Sequence, residues 1–492
     1  YFIKMAIKLD TYFTFDDVLL IPQYSEVLPK QVSVATKISR NVELNVPIIS
    51  AAMDTVTESR LAITMAQNGG IGCIHKNMTV SQQRNEVAKV KKFESGVVYD
   101  PITIHPKKTI SEALSLMKKH GISGIPVVDK DQNLKGILTN RDVRFCADTK
   151  QEVESLMTSE NLITITENIS KKQSRELLHK NKIEKLLVVD GDYKCIGLLT
   201  VKDMENAKKH PLAVRDKFGR LRVAAAIGTG RDSEERAEAL ADANVDIIIV
   251  DTAHGDSKGV IDMVKQIKSK YKNVDVIAGN IATAEAARRL YEAGVDAVKV
   301  GIGPGSICTT RIVAGVGVPQ LSAVMEVSKV CKELGIPLIS DGGIKYSGDL
   351  AKALAGGANC VMLGGLLAGC KETPGEIILY QGRSYKCYRG MGSLGAMARG
   401  SADRYFQEDV DSKYKLVPEG VEGRVPYKGS ASDVIYQLVG GLKSSMGYCG
   451  SKDLSIFHKK SKFIKISQSG LHESHPHNID ITRESPNYGV SK

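Results

Sequence analysis

Between residues 95 and 210 the chain repeats itself at one fixed offset. Ile102-Thr103 returns as Ile163-Thr164, and Pro126-Val127-Val128-Asp129 as Leu187-Val188-Val189-Asp190. Gly136-Ile137-Leu138-Thr139 returns as Gly197-Leu198-Leu199-Thr200, and Asp142 answers to Asp203, always 61 positions on. One spacing held at four places marks two copies of a single supersecondary unit. Each copy reads as a strand, an amphipathic helix, two apolar strands split by a polar turn, and a closing helix. The unit's Gly-apolar-apolar-Thr-x-x-Asp ending limits it further, since Thr139 with Asp142 and Thr200 with Asp203 then stand at equivalent places.

That ending resembles a tandem pair of CBS domains, a Bateman module. A different pattern brackets it: short apolar runs at 47–51, 70–74, 222–227, 246–251, 274–280, 297–301, 337–343 and 360–364. Helical stretches at 233–243, 257–271, 283–293, 320–334 and 347–355 separate the later runs. Runs this short and this uniformly apolar are strands buried on both faces, and helical crossovers make them parallel. Eight of them predict a (β/α)8 TIM barrel, with a doubly wound sheet as the alternative. The repeat pair would interrupt the second βα segment, with 206–220 leading back. The expected limits are 1–94 and 213–492 for the barrel's two parts and 95–152 and 153–212 for the two CBS copies.

Composition narrows the function. The 492 residues are 42% hydrophobic and 25% charged, enough for large cores. Tryptophan is absent and aromatics are 5%, a poor stacking surface for nucleic acid, so no specific nucleic-acid partner is expected. The net charge of +11 is dispersed and favours anionic ligands in general. Nine scattered cysteines without a CxxC pair read as reduced thiols of a cytoplasmic protein. The longest uncharged stretch, 353–370, holds five glycines and an asparagine and makes a poor membrane span. No secretory signal opens the chain, and the four residues before Met5 are read as an altered start.

In a barrel the active site lies at the carboxyl ends of the strands. Asp251, Asn280, Gly301-Ile302-Gly303, Asp341-Gly342-Gly343 and Gly364-Gly365 stand at those ends. The loop after the sixth run, Gly301 to Arg311, carries Cys308 among glycines, where backbone N–H groups and Arg311 would favour the nucleophilic thiolate. The plain alternative is an inert buried thiol, which is the reading for the other eight cysteines. The glycine pairs after runs seven and eight suit a phosphate, and Asp341 a ribose diol; ordinary turn chemistry is the alternative. Residues 383–448 show little regular pattern and read as a lid or flap. The histidines at 472, 475 and 477 read as a solvated tail, with zinc disfavoured.

Taken together, the stretch from Gly303 to Arg311, Tyr388-Arg389-Gly390-Met391-Gly392, Arg404-Tyr405, Phe15-Asp16-Asp17-Val18-Leu19-Leu20 and Ser50-Ala51-Ala52-Met53-Asp54 resemble the inosine-5′-monophosphate dehydrogenase family, bacterial type, from about residue 10 to 489. The resemblance implies oxidation of IMP to XMP with NAD in guanine nucleotide synthesis. Cys308 would attack C2 of the purine and hydride would pass to NAD, leaving a thioimidate. The flap around Arg404 and Tyr405 would then enter the vacated space, and Arg404, with Thr310, would activate water. IMP would meet Ser306, Asp341, Gly342, Gly343, Gly364, Gly365, Tyr388, Arg389, Gly390, Met391, Gly392 and Glu419. NAD would meet Asp251, Asn280, Gly301, Ile302 and Gly303.

The resemblance also implies a potassium ion on carbonyls of Gly303, Gly305 and Cys308, completed by Glu473, Ser474 and His475 of a neighbouring subunit. That requires a homotetramer at least, with an octamer left open. Regulatory purine nucleotides at the CBS pair would use Thr139, Asp142, Thr200 and Asp203; a purely architectural pair is the alternative. The family pattern has Ser where this chain has Gly365, which removes one hydroxyl contact to phosphate. The rival readings are a GMP reductase, disfavoured by the flap and the insert, and a nucleotide-sensing protein without catalysis, disfavoured by Cys308, Thr310 and Arg404 standing together.

Overall fold

The computed structural model describes residues 10–93, 97–99, 101–166, 169, 171–201, 209–407 and 415–488. The chain divides into two compact units: Tyr1–Lys91, Leu212–Val214 and Arg222–Lys492 form one, Lys92–Pro211 and Arg215–Leu221 the other.

In the first unit eight parallel strands close on themselves: β1 (Ile48–Ser50), β2 (Ile71–Ile74), β3 (Ala224–Ile227), β4 (Ile247–Asp251), β5 (Asp275–Ile281), β6 (Ala297–Val300), β7 (Leu338–Asp341) and β8 (Cys360–Leu363). Val361 of β8 pairs with Ile48 of β1, and Cys73 of β2 with Ala224 of β3. Closure excludes the doubly wound sheet. Ile49, Ile71, Ala224, Ala226, Ile247, Ile249, Ile277, Ala297, Ile339 and Met362 pack in one cluster, small residues facing branched ones as a filled barrel requires. Outside run α1 (Ser59–Gln67), α2 (Val80–Lys92), α3 (Ser233–Asp242), α4 (Lys258–Lys270), α5 (Ala284–Ala293), α6 (Gln320–Leu334) and α7 (Ser347–Ala355).

A hairpin pairing Thr36–Lys37 with Glu43–Leu44 closes the amino-terminal mouth. Its Ile38, Val42 and Leu44 join the barrel cluster. Asn41 donates to Asp275 at the start of β5 through its backbone N at 3.0 Å and its Nδ2 at 2.8 Å. Thr36 Oγ1 donates to the carbonyl of Asn359, just before β8, at 2.9 Å. The carboxyl mouth is left for chemistry.

The segment 383–448, expected to be irregular, is largely regular. Antiparallel β9 (Ile377–Tyr380), β10 (Arg383–Arg389) and β11 (Glu422–Pro426) form a sheet, and α8 (Ala431–Tyr448) supplies the eighth helix of the barrel. The α8 pattern follows helical spacing, with Ala431, Ile435, Leu438, Leu442 and Met446 buried. β10 escapes a hydropathy reading because its inward residues are Lys386 and Tyr388. Lys386 is 2% exposed and its Nζ donates to the carbonyls of Thr373 at 2.7 Å and Cys370 at 3.2 Å. In the excursion between β10 and β11 the described residues, 390–407 and 415–421, hold only short helical turns such as Ala402–Tyr405.

The second unit holds the two copies. Helix Ile110–His120 precedes strands Gly124–Val128 and Leu134–Thr139; Lys171–Asn181 precedes Lys185–Val189 and Cys195–Thr200. A bulge falls between Val127 and Val128 in one hairpin and between Val188 and Val189 in the other. The copies bond reciprocally: Leu134 N donates to Tyr193 O at 3.2 Å and Cys195 N to Gln132 O at 3.1 Å. Each bond is the other shifted by the repeat, so the copies are related by a local two-fold. No helix among the described residues is long and apolar enough to cross a membrane.

Candidate active site

The carboxyl ends of β4 to β8 open into one cavity of about 530 Å³. Asp251 reaches it from β4, Asn280 from β5, and Gly301, Ile302, Gly303, Gly305, Ser306, Cys308 and Thr310 from β6 and its loop. Asp341, Gly342 and Gly343 follow β7, and Gly364 and Gly365 follow β8. Tyr388, Gly390, Met391, Arg404, Tyr405 and Glu419 complete the wall.

Glycine gives the β6 loop its path. Gly301 has φ 151° and a Cβ there would overlap the Asp341 carbonyl, while Gly303 has φ 75°. The turn holds Cys308, whose N donates to Gly305 O at 3.1 Å and whose Sγ lies 3.2 Å from Thr310 Oγ1. Arg311 lines the same cavity and interacts electrostatically with Cys308, while its guanidinium donates to the carbonyls of Ile302, at 3.0 Å, and Val318, bracing the loop. Val421 N donates to Ile307 O at 3.0 Å and Thr309 N to Glu419 O at 2.9 Å, so the thiol loop is stitched to the far end of the excursion. Glu419 N in turn donates to Gly392 O at 3.0 Å. Six of the other eight thiols are buried, and burial pushes Cys195 up to about 11 and Cys331 and Cys370 to about 12, whereas Cys146 is half-buried and Cys387 exposed.

At the centre stands a lysine that the sequence reading passed over. Lys299, 1% exposed, places Nζ 2.8 Å from Asp251 Oδ1 and 2.6 Å from Asp341 Oδ2, and donates to Asn280 Oδ1. Burial alone would strip its proton, but Asp251 and Asp341 reverse that and hold it above the usual lysine range. Asn280 Nδ2 donates to Asp341 Oδ2 at 3.0 Å and to Gly301 O at 2.7 Å. A lysine inside a doubly buried strand was the available signal.

Asp251, expected to meet a ribose, lines the cavity and is ion-paired with Arg404. Burial opposes the carboxylate, and Arg404 and Lys299 overcome it, keeping Asp251 below the ordinary range. Arg404 is likewise desolvated, and Asp251 holds it above its already high value, so the guanidinium is charged in this arrangement. Its Nε is buried and makes no hydrogen bond among the described residues. Tyr405 packs beside Gly392, where a Cβ would stand 2.7 Å from the phenol ring. Burial raises the Tyr388 hydroxyl to about 12 despite Ser306 beside it.

Two residues expected at the nucleotide lie outside this cavity's wall. Arg389 forks onto Asp54, with Nε 3.0 Å from Oδ1, and ties β10 to the loop after β1. Gly392 makes room for Tyr405. Glu473, Ser474 and His475 also lie off the cavity wall; His475 Nδ1 is 2.7 Å from Tyr488 Oη. The carbonyl oxygens of Gly303 and Cys308 carry no hydrogen bond among the described residues, as a cation ligand set needs; Gly305 O already accepts from Cys308. In the second unit Thr139 donates to Asp142 Oδ2 through both its backbone N and its Oγ1, each at 2.7 Å. Thr200 ends its strand and Asp203 lies outside the described residues. Sequence reasoning also passed over Lys76 and Asn77, which follow β2 at the same mouth.

A family profile described as "IMP dehydrogenase / GMP reductase domain" matches residues 12–477. The inosine-5′-monophosphate dehydrogenase of Aquifex aeolicus (strain VF5) is 57% identical over 491 residues, 99% of this chain and 100% of the relative. That of Rhizobium tropici is 59% identical over 471 residues, 95% of this chain and 94% of the relative. A crystal structure of a GMP reductase variant from Trypanosoma brucei in complex with guanosine 5′-monophosphate matches with a TM-score of 0.86 at 40% identity, covering 96% of this chain and 99% of that one. Such coverage leaves no room to omit the repeat pair, so the insert does not separate the two activities as expected.

Proposed function

The chain belongs to the IMP dehydrogenase / GMP reductase family, and we propose that it oxidises IMP to XMP with NAD, in the cytoplasm, as a step of guanine nucleotide synthesis. The observation that carries this choice is Arg404 seated in the cavity that also holds Cys308 and Thr310. A dehydrogenase must hydrolyse its covalent intermediate and needs a residue that brings water to it. The named dehydrogenases, identical at 57% and 59% of aligned positions, support the same reading.

Cys308 as thiolate adds to C2 of the purine; hydride then leaves C2 for NAD, and the sulfur–carbon thioimidate remains. Ser306 and Tyr388 fix the nucleotide from one side, and the N–H groups around Gly343, Gly364 and Gly365 suit its phosphate. Asp341, held by Lys299 and Asn280, presents its other oxygen to the ribose. After the reduced dinucleotide departs, Arg404 takes its place on Asp251. Water then adds to C2, its proton passing to solvent through the Thr310 and Arg404 side, and sulfur leaves as Cys308 thiolate. Because Asp251 keeps Arg404 protonated, the guanidinium orients the water and stabilises developing hydroxide by donation from Nε. A potassium ion would sit on the carbonyls of Gly303, Gly305 and Cys308, with Glu473, Ser474 and His475 of a neighbouring subunit in a tetramer. It would fix the loop's conformation.

The second unit is proposed to be a CBS pair that takes purine nucleotides. The paired bonds from Thr139 to the Asp142 carboxylate suit an architectural role as well.

The test is NADH absorbance after mixing the protein with IMP and NAD, in potassium or in sodium alone. A potassium-stimulated rise is expected. Consumption of NADPH on adding GMP, with no NADH formed from IMP, would transfer the protein to the reductase side of the family.

A further inference from the structure

Three successive strand ends grip one short turn of the excursion, Ala402–Tyr405. After β2, Lys76 Nζ is ion-paired with Asp403 and donates to Gly400 O at 3.2 Å. Both paired side chains are 9% exposed. Next door, Asn77 Nδ2 lies 3.4 Å from Ala396 O. After β3, Gly228 provides the seat: a Cβ there would overlap Asp403 Oδ2. After β4, Ala253 N donates to the Arg404 carbonyl at 3.0 Å, and Asp251 receives the guanidinium.

We infer that the Lys76–Asp403 pair, seated over Gly228, is a latch that positions Arg404 for hydrolysis. The inference rests on the hydrolytic role proposed for Arg404. Asp403 adjoins Arg404 in the chain, so fixing its carboxylate fixes where the guanidinium emerges. The pair exists only with the turn docked, and therefore stabilises the docked state alone. It contributes nothing while a dinucleotide occupies the space beside Asp251. Lys76 and Asp403 are positioning residues: neither lines the cavity.

Weakening the latch lowers the docked fraction, which slows hydrolysis, and raises the fraction able to admit NAD, which lowers its apparent dissociation constant. A loss of general packing would instead harm both. Lys76→Met and Asp403→Asn each remove one charge. Gly228→Ala denies Asp403 its seat while leaving both charges in place. The full-length variants are mixed rapidly with IMP and NAD, and three quantities are read: the first-turnover burst of NADH, the steady-state rate and KM for NAD.

For all three variants we expect the burst rate to stay within about twofold while kcat falls about tenfold and KM for NAD falls with it. The double variant of Lys76 and Asp403 should be no slower than the worse single one, because the two act through one contact. An unchanged steady state, a burst that falls in step with it, or additive losses in the double variant would overturn the latch while leaving the dehydrogenase standing. No NADH from wild-type protein with IMP would remove the dehydrogenase reading, and the latch's role in hydrolysis with it.

Discussion

Lys299 Nζ lies 2.8 Å from Asp251 Oδ1 where almost no water reaches, the lysine being 1% exposed. With Asp341 and Arg404 it forms a set of two cations and two anions, neutral when the turn is docked. Removing Lys299 leaves buried Asp251 and half-buried Asp341 with one guanidinium between them. Lys299→Met should cost about 3 kcal/mol of stability near neutral pH, read from denaturant midpoints. The sign with pH follows from a raised lysine: its contribution is complete below the unfolded value near ~10.4 and fades only as pH climbs through the higher folded value. The gap between wild type and variant should therefore be flat from neutrality to mild alkali. A gap that closes by pH ~8 would contradict a charged Lys299.

Asp54 gives the opposite profile. Burial works to raise it, but the Arg389 fork and Asn77, 2.6 Å away, hold it below the ordinary range. Its contribution is complete above the unfolded carboxylate value of ~3.9 and is lost as pH falls through the depressed one. Asp54→Asn should destabilise by about 2 kcal/mol at pH ~7, and wild type and variant should converge in acid. IMP affinity should change little, since Arg389 serves as a tie here; a KM for IMP raised more than about tenfold would return Arg389 to the nucleotide.

Cys308→Ala should abolish both the NADH burst and covalent trapping of the nucleotide. Arg404→Ala should keep the burst and lose about 10² to 10⁴ in steady-state rate, with modified protein accumulating in the mass spectrum. Equal loss of both phases in the Arg404 variant would remove it from the hydrolytic step.

Gly365 tests the missing hydroxyl. A Cβ at 365 would stand 3.4 Å from Tyr388 Cε1 and 3.5 Å from Ser306 Oγ, ordinary contact distances. Gly365→Ser should fold normally and lower KM for IMP about threefold through one added bond to phosphate, with kcat unchanged. A raised KM would mean that the phosphate does not lie there. Gly392→Ala, crowding Tyr405 at 2.7 Å, should impair turnover instead.

The barrel was legible because its strands are short, continuously apolar and separated by helices; 360–364 became Cys360–Leu363 and 320–334 became Gln320–Leu334 unchanged. The repeat was legible from its constant offset of 61 positions, and the bulges after Val127 and Val188, which no sequence pattern marks, fall at the same offset. The polar strand β10 was not, because pairing with β11, some thirty residues distant, decides its structure. The site's glycines and Cys308 stood out by position, whereas Lys299 and Lys76 did not. Their roles come from partners at 251, 341 and 403, and such pairings leave no local pattern.

The 36–44 hairpin has a consequence for traffic. With Ile38, Val42 and Leu44 corking the amino-terminal end of the barrel, ligands reach the cavity from its carboxyl side. Whatever enters from that side also departs from it. Shared access imposes order without any further control: an occupant beside Asp251 has to leave before Arg404 can take the seat it holds here.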